Sequence, residues 1–438
     1  MTPRISRREM IAWLAAGTGA AATGASVFLG DQRSSSKAPT PGSPSSESTV
    51  PRIRSTAASA DAGDPTTIQA NSVGSRLLVV VEMPGGNDGL STAVPYGDGA
   101  YYDLRDQTAI AERDVLDLDG RLGLHPSLER LHRRGVSVVQ GIGSSTPDGS
   151  HFEMQARWWS GNSAVIDSST GWIGRVADLL AHDAAASGPA TALSVGSGSH
   201  PIIRSVNGTT IAMPNANALW AVAGADPDDE RAVAYQRALR SMAAADSPIG
   251  ESMRAGLDFA ELMIELELDE AAAEDLGYEG WGLGRGLQFA ASVLDGDVGI
   301  RVVHVRTQGD YDTHDGHSWK YPQLMTEVDA NVEAFHRDIE QRGLADRVMV
   351  MTTSEFGRTA RENANGGLDH GTASTMLLSG PGTDQVLGEA PLLTTRDAND
   401  DLIAPIRFED YLGGVVEGWL DVPASEVFGS NATPLDLF

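Results

Sequence analysis

The sequence predicts an α/β fold with a doubly wound, mostly parallel sheet flanked by helices. Short apolar runs typical of buried strands recur along the chain, beginning with "RLLVVVEM" (76–83) and "VSVVQGIG" (136–143). Helical patterns separate them, and the first, "HPSLERLHRRG" (125–135), ends at Gly135. Strands that alternate with helices indicate βαβ units, a parallel sheet and right-handed crossovers.

The rest of the chain continues this alternation. We expect further strands within residues 191–195, 209–213, 299–309, 347–358 and 372–382. We expect helices at 151–161, 171–186, 319–343 and 408–420, and a mostly helical, acidic insertion at about 226–294. Residues 76–438 are therefore predicted to form a single domain.

Composition limits the classes of partner. The 60 acidic and 32 basic residues give a formal net charge of −28. We therefore expect no nucleic acid partner, and a mature body that is not embedded in a membrane. The 438 residues include no cysteine, which excludes disulfides, thiolate metal ligands and a lipoprotein anchor.

Residues 1–30 have the pattern of a twin-arginine export signal. Arg7 and Arg8 precede an apolar stretch, residues 10–29, that is rich in Ala and Gly. A transmembrane anchor would fit this length, but the many small residues favour export. Residues 31–75, rich in Ser, Thr, Pro and Ala, are predicted to be a disordered, flexible linker. We expect the twin-arginine translocase as a partner during export. The expected location is periplasmic, cell-surface or extracellular, anchored if the signal is not cleaved.

Polar residues follow the strong strands, where a parallel sheet binds its ligands. The stretch "LLVVVEMPGGNDGL" (77–90) leads from a strand into glycines around Asn87 and Asp88, although an ordinary turn would use the same residue types. The later loops contribute further candidates, which are Ser150, His151, Asp310, Asp312, His314, His317, Glu355, Arg358, Asp369 and His370.

Carboxylates and imidazoles without thiols are ligands for zinc, magnesium, manganese or calcium. Asp312 and His314 are two residues apart, so an extended backbone would turn both towards one ion. His370 is a further candidate ligand, and Asp369 a candidate for orienting one. Asp310 and His317 remain open. The other histidines fit ordinary surface or hydrogen-bonded positions, namely His125, His132, His182, His200, His304 and His336.

Ser150 allows two interpretations. Ser150 and Glu153 form an S-x-x-E capping box at a helix start, which needs no further role. A helix N-terminus also attracts phosphate or sulfate, and a serine beside a divalent ion could attack an ester.

These motifs, in order, carry a family resemblance over roughly residues 76–425. "GGNDGL…VPYGD", "GLHPSL", "SHFEMQ", "GWIGR", "YDTH", "SEFGRT…EN" and "LDHG" follow the twin-arginine start. The sequence resembles the exported bacterial family catalogued as domain of unknown function fifteen-hundred-and-one, of the alkaline phosphatase and sulfatase clan. That resemblance implies an alkaline-phosphatase-like sandwich with a metal site at the strand ends.

The resemblance also implies roles for single residues. Asp88 resembles the clan's first-strand metal ligand, Ser150 its nucleophile, Asp312 and His314 an Asp–His ligand pair, and His370 its last histidine. Glu355 and Phe356 stand where the clan usually has Asp and His. This departure from the clan's pattern argues against a complete two-metal site, so one tightly bound ion or a changed metal is an alternative to two ions.

The sequence predicts an exported metal-dependent hydrolase of phosphate or sulfate esters. One or two divalent ions would be held by Asp88, Asp312, His314, Glu355 and His370. Ser150 would attack a small-molecule or envelope-derived ester, while Asn87 or Arg358 stabilises charge. One alternative is a non-catalytic exported protein that binds metal or envelope material. Another is an enzyme that modifies envelope carbohydrate, with Trp158, Trp159, Trp172 and Trp319 stacking on sugars, although core packing explains such residues more often.

Overall fold

The computed structural model describes residues 26–27, 76–181, 188, 190–207, 210–214, 229–265, 270–280, 282–430 and 432–438. The predicted export signal and linker lie outside these residues, apart from a two-residue strand at Ser26–Val27. Among the described residues, no helix combines the length and the apolar character that crossing a bilayer requires.

A mixed, mostly parallel sheet forms the centre of the fold. Its nine strands are β1 (Leu77–Glu82), β2 (Ser137–Gly143), β3 (Ala192–Val195), β4 (Thr210–Met213), β5 (Val302–Arg306), β6 (Val348–Thr353), β7 (Ser374–Ser379), β8 (Val386–Gly388) and β9 (Ile406–Arg407). Their order is β4-β3-β5-β1-β6-β7-β2-β8, with β9 also paired to β2. Within this set only β7 runs antiparallel to its neighbours. Ser26–Val27 adds an antiparallel edge beside β4.

Helices cover both faces of the sheet. The longer ones are α1 (His151–Ser160), α2 (Trp172–Leu180), α3 (Leu283–Asp295), α4 (His317–Gln341) and α5 (Phe408–Leu420). The stretch predicted as a helical insertion also contains helices at Glu230–Ala243, Pro248–Glu265 and Glu270–Leu276. Short helices span Gly89–Thr92, Gly99–Leu104, Glu129–Arg134 and Ala424–Phe428. A small antiparallel sheet joins Ala93–Val94, Gly123–Leu124 and Leu116–Asp117.

The alternation of side chains along β1 explains why both faces need helices. Val79 and Val81 pack in one core with Leu287 of α3 and Phe335 of α4. Leu78 and Val80 pack on the opposite face, in a second core that includes residues of α2 and α5. Because both faces of the strand are buried, the run reads as continuously apolar. The predicted α/β class and strand positions are thus confirmed, although β5 and β6 are shorter than the runs that predicted them.

Candidate functional site

One rim of the sheet collects the polar segments. The parallel strands β1, β3, β5 and β6 all end there, and β2 runs the same way. Because β7 is antiparallel, it begins at that rim, and the residues that precede it meet the loops that follow the other strands. His370 thereby reaches Asp312 and His314, which follow β5.

Asp312, His314 and His370 form the centre of this rim, which we call the acceptor cluster. The Nε2 atoms of His314 and His370 are 2.9 Å apart. Asp312 Oδ1 lies 3.1 Å from Nε2 of His314 and 3.2 Å from Nε2 of His370. The close approach of Asp312 to His314 follows from their spacing of two residues.

The outer nitrogen of each ring fixes its tautomer. Nδ1 of His370 lies 2.7 Å from the carbonyl oxygen of Gly149, which can only accept, so this nitrogen carries a hydrogen. Nδ1 of His314 lies 2.7 Å from Oδ1 of Asp369. This hydrogen bond lowers the pKa of Asp369 despite some burial, so the carboxylate accepts as well. In the neutral form of each ring, Nε2 therefore carries the lone pair and faces Asp312 Oδ1, an arrangement that a cation stabilises.

Arg358 holds the carboxylate of this cluster. Its buried guanidinium donates to Asp312 Oδ1 at 2.6 Å and to the carbonyl oxygens of Gly86 and Leu368 at 3.0 and 3.1 Å. Partial burial raises the pKa of Asp312, but the hydrogen bond and charge of Arg358 outweigh it, and the net shift is downward. Arg358, predicted to stabilise substrate charge, has its donors committed to the protein and serves to position Asp312.

His151, the first residue of α1, approaches the acceptor cluster from another side. Its Nε2 lies 3.5 Å from Asp312 Oδ2, and its Nδ1 lies 2.9 Å from Glu355 Oε1. Glu355 Oε1 also accepts from the Gly85 amide and from Gln155, at 2.8 and 3.1 Å. The bond to Glu355 raises the pKa of His151 against the effect of burial. Glu355, predicted as a metal ligand, therefore lies behind the ring of His151 and contacts it directly.

Phe356 packs beneath these rings. Its ring centroid is 4.7 Å from that of His370 and 4.9 Å from that of His151. Gly86 (φ +87°) leaves room for it, because a Cβ there would lie 2.4 Å from Phe356 Cε2. The glycines that precede Asn87 therefore permit close packing of the rim.

Asn87 and Asp88 face the interior rather than the acceptor cluster. The Asn87 amide donates to Thr92 and to the Thr375 carbonyl oxygen, and its oxygen accepts from Tyr321 at 2.7 Å. With its side chain satisfied and fully buried, we remove Asn87 from the proposed charge-stabilising groups.

Asp88 forms a buried ion pair with Arg105. The guanidinium donates to both carboxylate oxygens, at 2.6 and 2.9 Å. Burial raises the pKa of Asp88, but Arg105 more than offsets it and brings the value to about 2. In the described chain no contact joins Asp88 to the acceptor cluster. Because Arg105 already neutralises the carboxylate, we remove Asp88 from the proposed ligand set.

The remaining candidates fall on either side of the cluster. The Ser150 hydroxyl caps α1, accepting from the Glu153 amide at 3.5 Å, as the capping interpretation expects. Asp310 accepts from the Asp312 amide at 3.0 Å. His317 is buried against Ser91, at 3.0 Å, and belongs to the surroundings of Asp88 rather than to the acceptor cluster.

A second polar group lies inside the same rim. Glu82, His200 and His304 are buried, and their ligand atoms are close enough together that the group could hold a metal ion. Nε2 of His304 lies 2.7 Å and Nε2 of His200 3.3 Å from Glu82 Oε2. Trp159 also donates to Glu82, at 3.3 Å. Burial is the largest influence and raises the pKa of Glu82, but His200 and His304 together lower it well below its usual range.

Both groups bring ligand atoms close together. Nδ1 of His200 accepts from the Ile202 amide at 3.4 Å, and its Nε2 faces Glu82. Burial and the neighbouring His200 lower the pKa of His304 to about 4. Trp159 and His304 thus contact Glu82, while the buried Nε2 of His200 has no hydrogen-bond partner among the described residues. At the rim, the ligand atoms of His151, Asp312 and His370 also lie close enough together to hold a metal ion.

Two residues received no site role from the sequence. His151 was a loop candidate without an assigned role, because the capping box of Ser150 explained its segment, and His304 lies inside an apolar strand pattern. One available signal is the helix period, because His151, Gln155 and Trp159 are four residues apart and lie on one face of α1. That face contacts Glu355 at one end and Glu82 at the other. His182 lies outside the described residues.

An open cleft lies beside the acceptor cluster. Asp312 and His151 line one part of it. The other lining residues are Pro84, Gly85, Gln155, Gly196, Arg306, Thr307, Gln308, Gly309 and Asp310. A ligand in this cleft would therefore contact both the cluster and the end of β5.

Comparisons with solved structures find distant similarity. The PsFucS1 sulfatase from Pseudoalteromonas sp. is 11% identical, covering 82% of this chain and 73% of that chain with a TM-score of 0.36. Alkaline phosphatase from the Antarctic bacterium TAB5 is 12% identical, covering 72% and 95%, with a TM-score of 0.30. The periplasmic domain of EcEptC from Escherichia coli, in complex with Zn, is 10% identical, covering 71% and 74%, with a TM-score of 0.31. Similarities this distant carry no argument about activity.

Comparison with sequences is more decisive. No curated protein matches the chain. Residues 75–402 match the family model described as "Protein of unknown function (DUF1501)". The match covers most of the chain, which therefore belongs to the DUF1501 family.

Proposed function

We propose that this protein is an exported, metal-dependent hydrolase of phosphate or sulfate esters. One observation carries the proposal: the Nε2 atoms of His314 and His370 converge on Asp312 Oδ1 at the edge of an open cleft. The donor set of two imidazoles and one carboxylate suits zinc or manganese better than magnesium or calcium. Bound there, a divalent ion would act as a Lewis acid towards an ester oxygen.

The residues that contact the acceptor cluster from outside also favour a bound cation. Asp369 and the Gly149 carbonyl oxygen hold the two rings in the tautomer that a ligand needs. Arg358 fixes Asp312 from behind.

His151 is the proposed acid–base group. Glu355 holds the proton on Nδ1, which leaves Nε2 to take or give a proton in the cleft. The raised pKa of His151 brings this exchange closer to neutral pH. Ser150 stays a proposed nucleophile because it lies between Gly149 and His151, which both contact the cluster, while attack by water is the alternative.

The test is hydrolysis of p-nitrophenyl phosphate and p-nitrophenyl sulfate by protein depleted of metal and then reloaded with zinc, manganese, magnesium or calcium. We expect turnover by the loaded protein and its loss in His370→Gln. His132→Gln is the matched control, since His132 is a surface histidine bonded to the Asp117 carbonyl oxygen. Ser150→Ala separates attack by serine from attack by water. No turnover of either ester with any of the four metals would refute a hydrolase of this class.

A second candidate function is metal-dependent binding without catalysis. Phe356 occupies the space under His151 and His370, and Arg358 has its donors committed to the protein, so few groups remain to stabilise a transition state. Stoichiometric metal without turnover across a panel of phosphate and sulfate esters would support this function instead.

Export by the twin-arginine translocase is part of the proposal and rests on the sequence of residues 1–30. A small-molecule or envelope-derived ester is the proposed substrate. Changing Arg7 and Arg8 to Lys should retain the protein in the cytoplasm, as measured by cell fractionation. Unchanged export of this variant would contradict the proposed route.

A further inference from the structure

The end of β5 carries a cation that the proposed mechanism has not used. Among the described residues that line the cleft, Arg306 is the only arginine or lysine. The guanidinium is partly exposed, and its closest ionic contact places Nη1 3.8 Å from Glu82 Oε1. That distance is too long for a good hydrogen bond, so its N–H groups can reach a ligand in the cleft.

The neighbouring residue adds an unsatisfied hydroxyl. Thr307 also lines the cleft and is 3% exposed. Its Oγ1 is buried, with no hydrogen-bond partner among the described residues. A buried hydroxyl without a partner costs free energy unless a ligand or water completes it. Thr307 thus lines the cleft beside Arg306 and carries a buried hydroxyl that has no partner among the described residues.

The surroundings hold this pair in position. The Thr307 amide donates to the Glu82 carbonyl oxygen at 2.9 Å. Gly196, with φ +114°, lies against Arg306, and a Cβ at residue 196 would come within 3.3 Å of Arg306 Cβ. Glu82 itself is fixed by His304 and Trp159. Contacts with Glu82 and Gly196 therefore hold the backbone of this segment, and the guanidinium of Arg306 lies near Glu82.

We infer that Arg306 and Thr307 form the subsite for the tetrahedral oxyanion of the substrate, a phosphate or sulfate group. A guanidinium offers two parallel N–H donors to such an anion, and a threonine hydroxyl adds a third. Arg306 thus takes the charge-stabilising role that the sequence analysis gave to Asn87 or Arg358, whose side chains are buried and bonded within the protein. As a statement about substrate this rests on the proposed function, but anion binding itself does not require turnover.

The test is titration calorimetry of the full protein with inorganic phosphate and, separately, inorganic sulfate, with metal loaded and after chelation. We expect Arg306→Gln to weaken anion binding by about tenfold or more. Arg306→Lys should weaken it by less, because lysine keeps the positive charge and loses only the two parallel N–H donors. Thr307→Val should weaken binding about threefold. The matched control is Arg113→Gln, which removes the same charge from an exposed position outside the cleft.

Arg306-dependent binding of phosphate, sulfate or both would support the subsite. Binding of neither anion by the wild-type protein, or equal binding by Arg306→Gln, would overturn it. Arg306→Lys keeps the test informative if Arg306→Gln does not fold. Ester hydrolysis with Arg306-independent anion binding would leave the proposed function standing and remove only the subsite. Arg306-dependent binding without hydrolysis would leave the subsite standing and remove the proposed hydrolase function.

Discussion

The Nε2 atoms of His314 and His370 lie 2.9 Å apart, although each neutral ring has its hydrogen on the other nitrogen. Two lone pairs at this distance repel each other unless a proton or metal ion lies between them. Asp369 accepts from Nδ1 of His314 and the Gly149 carbonyl oxygen accepts from Nδ1 of His370, and these two contacts fix the tautomers. This relationship links the geometry of the rim to a measurable affinity for cations.

Replacing Asp369 should weaken metal binding without removing a ligand. In Asp369→Asn the new amide can turn its N–H towards His314 Nδ1 and favour the wrong tautomer. We expect metal affinity to fall by about tenfold to a hundredfold, measured by competition with a chelating dye. His132→Gln should bind metal like the wild type, and unchanged affinity in Asp369→Asn would contradict the tautomer argument.

Replacing Glu355 should change the pH dependence of hydrolysis. Glu355 raises the pKa of His151, so Glu355→Gln should move the acid limb of the kcat/KM profile to lower pH. His151→Gln should lower kcat by about 10²–10⁴. Glu153→Gln, on an exposed side chain of the same helix, is the control for both. An acid limb that stays in place in Glu355→Gln would show that His151 is not the titrating base.

Asp88 should matter for stability and not for metal. Asp88→Asn leaves Arg105 buried without its partner, so we expect a loss of about 3–5 kcal/mol in the free energy of unfolding. Metal stoichiometry should stay unchanged. Asp114→Asn breaks the exposed pair with Arg113 and should cost less than about 1 kcal/mol. If Asp88→Asn lost metal while remaining folded, Asp88 would return to the ligand set.

Gly86→Ala should damage both stability and the site. Its Cβ would meet the Phe356 ring at 2.4 Å, so we expect a destabilisation of about 1–3 kcal/mol. Displacement of Phe356 would also disturb His151 and His370 and lower metal affinity. Gly99→Ala is the control, because a Cβ at residue 99 meets no atom of the described chain within 4 Å. Wild-type stability of Gly86→Ala in urea unfolding would refute the packing argument.

Mild acid should destabilise the fold through its buried neutral histidines. Burial, the largest influence, lowers the pKa of His125 and His317 to about 4 and of His336 to about 3, from 6.5. The folded protein therefore binds fewer protons than the unfolded chain below pH 6.5. The free energy of unfolding should fall as pH drops from there towards these values.

The slope of that decline identifies its source. Each such histidine contributes up to about 1.4 kcal/mol per pH unit. His336 bonds to Ser379 away from the rim, so His336→Gln tests one contribution without touching the site. Urea unfolding between about pH 7 and about pH 5 should give a flatter slope for this variant. An identical slope would mean that His336 is protonated in the folded protein.

Sequence reasoning reached the rim but not the direction of every side chain. The rule that ligands lie beyond strand ends predicts the meeting of Asp312, His314 and His370. It cannot show that Asp88 turns inward. That direction depends on the ion pair with Arg105, and no local sequence pattern indicates that these two residues meet. Glu82 ends an apolar run and looks like a strand terminus. Its partners His200 and His304 come from two other parts of the chain.

Helix α1 contacts both polar groups of the rim, Glu355 beside the acceptor cluster and Glu82 in the second group. His151, Gln155 and Trp159 project from one side of the helix, so a rotation of a few degrees moves the ring over Glu355 and the indole over Glu82 together. Substitutions at the two ends should therefore be non-additive although their side chains never touch. Any change in the setting of α1 should move the proposed acid–base residue and the indole that donates to Glu82 together.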